Sequence, residues 1–241
     1  MGTLLNILTV LLGGIIGLLL GSRFPNKMRE TVVSALGLFS TAVGLQMTFA
    51  SKNVLIVLGA ILIGGIIGEM IGVDEGLKKI GEWLEERTGN KGAEGNKGNF
   101  VRGFVMASLL FCVGPMTILG SIQDGLLGDY QLLAIKSVLD GFGGLAFAST
   151  LGIGVAFSAL TILIYQGCVS IAAMMLGGAL GAVTRETPWV IEMTATGGVL
   201  IMCISLILLE LKPVRVANLL PAVILAPLIV LALAAFGIRL P

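Results

Sequence analysis

Eight apolar stretches, at 3–20, 31–50, 54–71, 101–122, 131–151, 156–180, 189–209 and 216–236, leave this chain few folds to choose from. Each is long enough for a helix to cross a hydrocarbon core about 30 Å thick, which takes about 20 residues. Inside lipid every backbone N–H and C=O needs a partner from the protein, and a helix supplies them within its own segment. With 56% hydrophobic and 12% charged residues and a mean hydropathy of +1.03, the chain lacks the polar surface of a water-soluble domain. The expected fold is therefore all-α, a polytopic transmembrane bundle of about eight spans. Seven is the alternative count, because between 131 and 182 a broken helix or a re-entrant segment could replace one crossing.

The loops set an orientation. Arg23, Lys27 and Arg29 follow the first window, Lys78, Lys79, Arg87, Lys91, Lys97 and Arg102 the third, and Lys212 and Arg215 the seventh. With eight crossings these 11 basic residues share one side, against Lys52, Arg185 and Arg239 on the other. Basic loops stay in the cytoplasm, so both termini are expected outside an inner, plasma membrane. The loop carrying Asp124 and Asp129 has no Lys or Arg and falls on the outer side. The polar stretch 74–99 begins with Leu77, Ile80, Trp83 and Leu84 at helical spacing among Lys78, Lys79, Glu82, Glu85 and Glu86, which predicts a cytoplasmic amphipathic helix. A twice-repeated Gly-Asn-Lys-Gly over 89–98 reads as a linker.

Lys136 and Asp140 stand four residues apart in the middle of the fifth window. Either charge at the centre of a membrane helix costs about 2.5 to 3.5 kcal/mol on insertion scales, so an intramembrane pair points to a functional site, the structural alternative being that Lys136 only neutralises Asp140 one turn away. The fourth window contains Gly114 and Pro115, followed by Thr117, Ser121, Gln123 and Asp124. A proline removes a donor and obstructs the turn before it, which predicts a break near Gly114 with carbonyls freed for protein, water or an ion. Gly141, Gly143 and Gly144 give the fifth window a matching weak point beside Asp140. Two interrupted helices beside polar groups suit a midplane binding site. Gln166 is placed to hydrogen-bond across helices. Glu69 and Glu192 lie near helix ends, Glu192 with Thr194 and Thr196 suggests a hydroxyl row along a path, and Asn6 reads as an interface anchor.

Internal similarity supports a duplication. Residues 12–17 (LGGIIG) are echoed at 176–181 (LGGALG), 34–37 (SALG) at 194–197 (TATG), and 53–55 (NVL) at 218–220 (NLL), offsets of 164, 160 and 165. Five crossings between the copies would make them inverted. This divides a single membrane domain into a first three-helix repeat at 1–73, a cytoplasmic segment at 74–99, a central interrupted pair at 100–155 and a second three-helix repeat at 156–241. The motif at 13–17 also recurs at 64–68, however, and glycines four apart serve close helix packing as readily as they record ancestry. The same small-residue stripes would permit a homodimer.

Several classes are disfavoured. A net charge of +1, with the basic residues scattered over short loops, gives no nucleic-acid face. Cys112, Cys168 and Cys203 have no CxxC spacing and read as small core residues. The absence of histidine removes the commonest metal ligand and general base, so no metal, no cofactor and no enzyme activity are expected. A Ser137–Lys136 nucleophile is poorly aimed, since adjacent helix positions diverge by about 100°.

The run Gly114-Pro115-Met116, 120–125 (GSIQDG), Gly128-Asp129, Lys136-Ser137, Leu139-Asp140 and Gln166-Gly167 resembles the YqgA/YdfK-like family of bacterial multipass inner-membrane proteins, over nearly the whole chain. The resemblance implies an inner-membrane helix bundle of unknown function, labelled a transport protein, and no particular substrate. The residues themselves point to a secondary transporter of an ion or small solute, with proton or sodium coupling at Asp140. An ion channel lined by the same groups and a scaffold docking through the amphipathic helix are the alternatives.

Overall fold

A computed structural model of the chain describes residues 1–21, 25–88, 99–176, 183–184 and 186–237. Among them are ten α-helices and no strand: α1 (Gly2–Gly21), α2 (Asn26–Thr48), α3 (Val54–Ile71), α4 (Val73–Arg87), α5 (Asn99–Val113), α6 (Pro115–Leu127), α7 (Gln131–Leu151), α8 (Gly154–Leu176), α9 (Pro188–Leu208) and α10 (Leu220–Ala235). The expected linker 89–98, the second copy of the LGGIIG motif beyond residue 176, and Arg23, Lys91, Lys97, Arg185 and Arg239 lie outside the described residues.

Local chemistry sets the helix ends. The Asn53 side chain accepts from the Leu55 N–H at 3.1 Å and caps α3 at its start. Gly72, with φ of 72°, ends α3 in the left-handed conformation that disfavours a side chain and lets α4 begin at once. Gly152 also has a positive φ (84°) but an extended ψ, and it ends α7 just before α8 begins. Pro188 opens α9, where its missing N–H matters least.

Seven helical segments are long and apolar enough to cross a membrane: α1, α2 from Glu30, α3, α7, α8, α9, and the segment Val216–Ala235 that ends in α10. The pair α5 and α6 passes the same test jointly but is bent by 61°. It follows α8 for most of that helix's length. Gly154 at the start of α8 abuts the Phe100 carbonyl, Ser108 and Thr161 share a 2.9 Å hydrogen bond, and Gly125 near the end of α6 abuts the Ser170 carbonyl. The described residues thus hold seven candidate spans, or eight with this bent pair counted as one crossing.

The chain divides into two compact units. Unit 1 comprises Met1–Leu36, Leu77–Cys112 and Met116–Ala182. Its axis is the contact of α1 with α7. Gly13, Gly17 and Gly21 face the carbonyls of Gly141, Leu145 and Ser149 in turn, so the two helices run parallel in a fixed register with no space for a Cβ. Leu84 of α4 is buried with Phe100 and Phe104 of α5, while Ile80 and Trp83 are about half exposed, as an interfacial amphipathic helix requires. Unit 2 comprises Gly37–Gly76, Val113–Pro115 and Val183–Pro241. There Gly64 and Gly68 of α3 close on Ala222 and Asn218, and Gly44 of α2 meets the Gly198 carbonyl of α9. The recurring GGIIG motif thus works the same way in α1 and α3, as a close-approach surface.

One expectation is corrected. The fifth window is not interrupted: α7 is continuous from Gln131 to Leu151, through Gly141, Gly143 and Gly144. Those glycines serve packing instead. A Cβ on Gly141 would lie 3.2 Å from Thr9, on Gly143 3.2 Å from the Phe111 ring, and on Gly144 3.4 Å from the Val10 carbonyl. Glycine costs a helix about 1 kcal/mol relative to alanine, whereas opening the backbone in lipid would leave several groups unpaired.

This packing makes Gly17→Leu destabilising by at least the typical overpacking cost of about 1 to 3 kcal/mol. It should lower the thermal midpoint in detergent or prevent a monodisperse fold. Gly59→Ala, at a site where no atom would come within 4 Å of the new Cβ, should be neutral or stabilising by up to about 1 kcal/mol. Equal responses would contradict the assigned contact.

Candidate functional site

Lys136 and Asp140 occupy one face of α7 a turn apart, and both are buried, at 4% and 9% exposure. Lys136 Nζ donates to Asp140 Oδ2. At 1.5 Å per residue Asp140 stands about 13 Å from the start of α7, near mid-length of the helix. Neither charge would be tolerable there alone, and each neutralises the other.

Two neighbouring helices complete the cluster. Asn6 of α1, fully buried, uses Nδ2 to donate to Asp140 Oδ2 at 3.0 Å and to Gln166 Oε1 of α8 at 3.0 Å. Gln166, also fully buried, donates from Nε2 to Thr3 Oγ1 at 3.2 Å. A continuous hydrogen-bonded chain therefore runs Lys136–Asp140–Asn6–Gln166–Thr3 across α7, α1 and α8. Two acceptors are left over. Among the described residues neither the buried Asn6 Oδ1 nor Asp140 Oδ1 accepts a bond.

The break in the fourth window falls at Gly114, with α6 starting at Pro115. In an uninterrupted helix the Phe111 carbonyl would accept from residue 115, which as proline has no N–H. Thr117 Oγ1 takes that place, donating to the Phe111 carbonyl at 2.9 Å, and Ser121 Oγ donates to the Thr117 carbonyl at 2.5 Å. Both hydroxyls are buried and used within the α5–α6 segment. The carbonyl that the proline releases is thus closed by the protein itself. Asp124, near the end of α6, pairs with the Met1 amino group at 3.1 Å and accepts from the Gly2 N–H at 3.2 Å. Gln123 beside it is half-buried.

Of the residues singled out in the sequence, the fold joins Lys136 to Asp140 directly and Gln166 to them through Asn6. Gly114 and Pro115 make the break, Thr117 and Ser121 mend it, and Gln123 and Asp124 stand at the end of α6. Asn6 and Thr3 are additions. The signal for them is the row Thr3, Asn6, Val10, Gly13, Gly17, Gly21, which continues the close-contact stripe of α1 back to its first turn.

Two acids in unit 2, Glu192 and Glu69, have structural partners. Glu192 is 2% exposed and accepts from Ser51 Oγ at 2.7 Å, the Lys52 N–H at 2.8 Å and the Asn53 N–H at 3.0 Å, which fixes the α2–α3 turn. Thr194 and Thr196 donate to the carbonyls of Val190 and Glu192 on their own helix, at 2.6 and 2.8 Å. Glu69 binds Arg215 at 2.6 Å and Asn218 Nδ2 at 2.6 Å, and Asn218 Oδ1 accepts from the Asp74 N–H at 2.7 Å. Among the described residues no group of three or more Cys, Asp or Glu side chains is placed to hold a metal ion.

The fold and this cluster define a polytopic all-α membrane protein with a charged pair sealed inside one helical unit. Over residues 1–231 the chain matches the family described as "Protein of unknown function (DUF554)", and it belongs to that family. It is 29% identical over 242 residues to "Uncharacterized membrane protein YdfK" of Bacillus subtilis (strain 168), covering 99% of each chain. It is 30% identical over 226 residues to "Uncharacterized protein YqgA" of Escherichia coli (strain K12), covering 93% of this chain and 94% of the relative. No solved structure matches it significantly.

The ion pair makes a specific stability prediction. Lys136→Met leaves a buried carboxylate uncompensated and should cost about 3 kcal/mol or more in unfolding from mixed micelles. Adding Asp140→Leu to Lys136→Met should recover most of that loss. A double variant as unstable as the single one would show that the two charges do not compensate each other.

Proposed function

We propose that the protein is a secondary transporter, moving an ion or small solute through the cluster in unit 1. Asp140 takes the proton or cation, and Lys136 acts as an internal cation that holds the site closed when it is empty. The observation that carries this reading is a charged pair at mid-span with acceptor capacity left over on Asp140 Oδ1 and Asn6 Oδ1. A pair kept only for stability has a cheaper apolar substitute, so retained intramembrane charge favours a role in translocation. An incoming cation would compete with Lys136 for the carboxylate, and the two acceptors would replace part of its hydration shell.

Catalysis is the weaker reading. The Ser137 hydroxyl donates to the Leu133 carbonyl at 2.6 Å and Lys136 donates to Asp140, so the two do not form a nucleophile and base. In the transport reading the chain lies in the inner membrane with both termini outside, and the inverted three-helix repeats suggested by offsets of 160 to 165 residues supply the moving halves.

The test is flux in proteoliposomes, with entrapped pyranine reporting protons and a sodium-sensitive dye reporting sodium. Wild type should give saturable flux of at least one of the two. Asp140→Asn, purified as a folded protein, should abolish it. Uptake unchanged by Asp140→Asn would reject the assignment.

A further inference from the structure

Beside Asn6 Oδ1, the Ser170 hydroxyl of α8 is sealed from solvent and has no hydrogen-bond partner among the described residues. The buried hydroxyls of Ser121, Ser137, Ser158 and Thr196 each donate to a carbonyl three or four residues back on their own helix, the usual way to satisfy a hydroxyl in a helix. Ser170 does not. A polar atom buried and left open calls for a water or an ion.

Its position is specific. Ser170 stands one turn beyond Gln166, on the stripe of α8 where Ile162, Gln166 and Ala173 are buried. That turn is about 6 Å long and leads towards the membrane face at which α6 ends. There Gly125 of α6 abuts the Ser170 carbonyl. Asp124 next to it, its side chain 7% exposed, accepts from the Gly2 N–H at the start of α1. Thr3 follows and holds Gln166. The seam of α1, α6 and α8 thus leads from Asp124 past Ser170 to Gln166 and Asn6, and so to Asp140.

The charge along this seam suits a cation. α1, α6 and α8 carry no lysine or arginine, and Asp124 is the only acid on them. The Met1 amino group that pairs with Asp124 is 85% exposed, so that contact is screened by water and open to exchange. An acid at the mouth, with hydroxyl and amide groups beyond it, draws cations and repels anions.

We propose that the ion enters the cluster along this seam, with Asp124 at the mouth, Ser170 Oγ as an intermediate ligand and the Thr3–Gln166 hydrogen bond as the barrier that must part. The inference rests on the transport reading, whose site the path serves.

Accessibility is measured on purified protein in detergent with Ser170→Cys as the sole cysteine, Cys112, Cys168 and Cys203 being replaced by alanine. Ser158→Cys in the same background is the reference, since Ser158 is fully buried on the same helix and lies about three turns from Ser170, beyond the cluster. A cationic methanethiosulfonate should modify Ser170→Cys and leave Ser158→Cys unmodified. It should outpace its anionic counterpart at Ser170→Cys about tenfold, the lower end of enrichment in a charged cleft, and adding Asp124→Asn should remove most of that preference. In proteoliposomes of otherwise wild-type protein, Ser170→Leu with a wild-type thermal midpoint should abolish flux; should the leucine prevent folding, the nearly isosteric cysteine still decides. Flux lost in Asp140→Asn yet kept in Ser170→Leu, modification of Ser170→Cys no faster than of Ser158→Cys, or equal rates for the two reagents would each overturn the path and leave the transport reading standing. Flux unchanged by Asp140→Asn would instead remove that reading, and the path with it.

Discussion

The close approach of α1 to α7 is the contact on which the functional unit depends. Three glycines at intervals of four let the α1 backbone lie against successive carbonyls of α7, at a constant offset between the helices. Only at that separation does a side chain as short as Asn6 reach Asp140. Its amide then ties the carboxylate to Gln166 on α8, so a packing surface of small residues also delivers the polar groups that make a buried charge tolerable. Packing and electrostatics are one design here.

The same rule, that every polar group inside the bilayer needs a partner, accounts for the other irregular places. Pro115 deprives the Phe111 carbonyl of its usual donor, and Thr117 two residues on replaces it. Glu192 is buried without a cation but receives three donors from the α2–α3 turn. Asn218 uses both ends of its amide, to Glu69 and to the Asp74 backbone. In each case the side chain closes a defect in the backbone. Against that background the spare acceptors on Asp140 and Asn6 stand out, since nothing in the described chain uses them.

The spans were legible because lipid imposes a length and a composition that few other structures share. The break at Gly114 was legible too, since proline removes a donor wherever it sits. Gly141 misled for an opposite reason: glycine weakens a helix and permits close contact with equal ease, and only the identity of the neighbour decides which effect operates. Asn6 was hidden because a single amide one turn into a first span looks like an interface anchor. Its partners are more than 130 residues away, and no local pattern announces them. Glu192 was hidden likewise, since its donors are backbone groups of another turn. The pairing of Lys136 with Asp140 could be read directly, because residues four apart on a helix must face the same way.

The most direct test of the account is the coupling between Asn6 and Asp140. Unfolding of wild type, Asn6→Leu, Asp140→Asn and the double variant, measured in one mixed-micelle system, closes a thermodynamic cycle. A shared buried network predicts an interaction energy of about 1 kcal/mol or more. Additive effects, within about 0.3 kcal/mol, would mean that α1 does not hold the carboxylate, and the cluster would lose its centre.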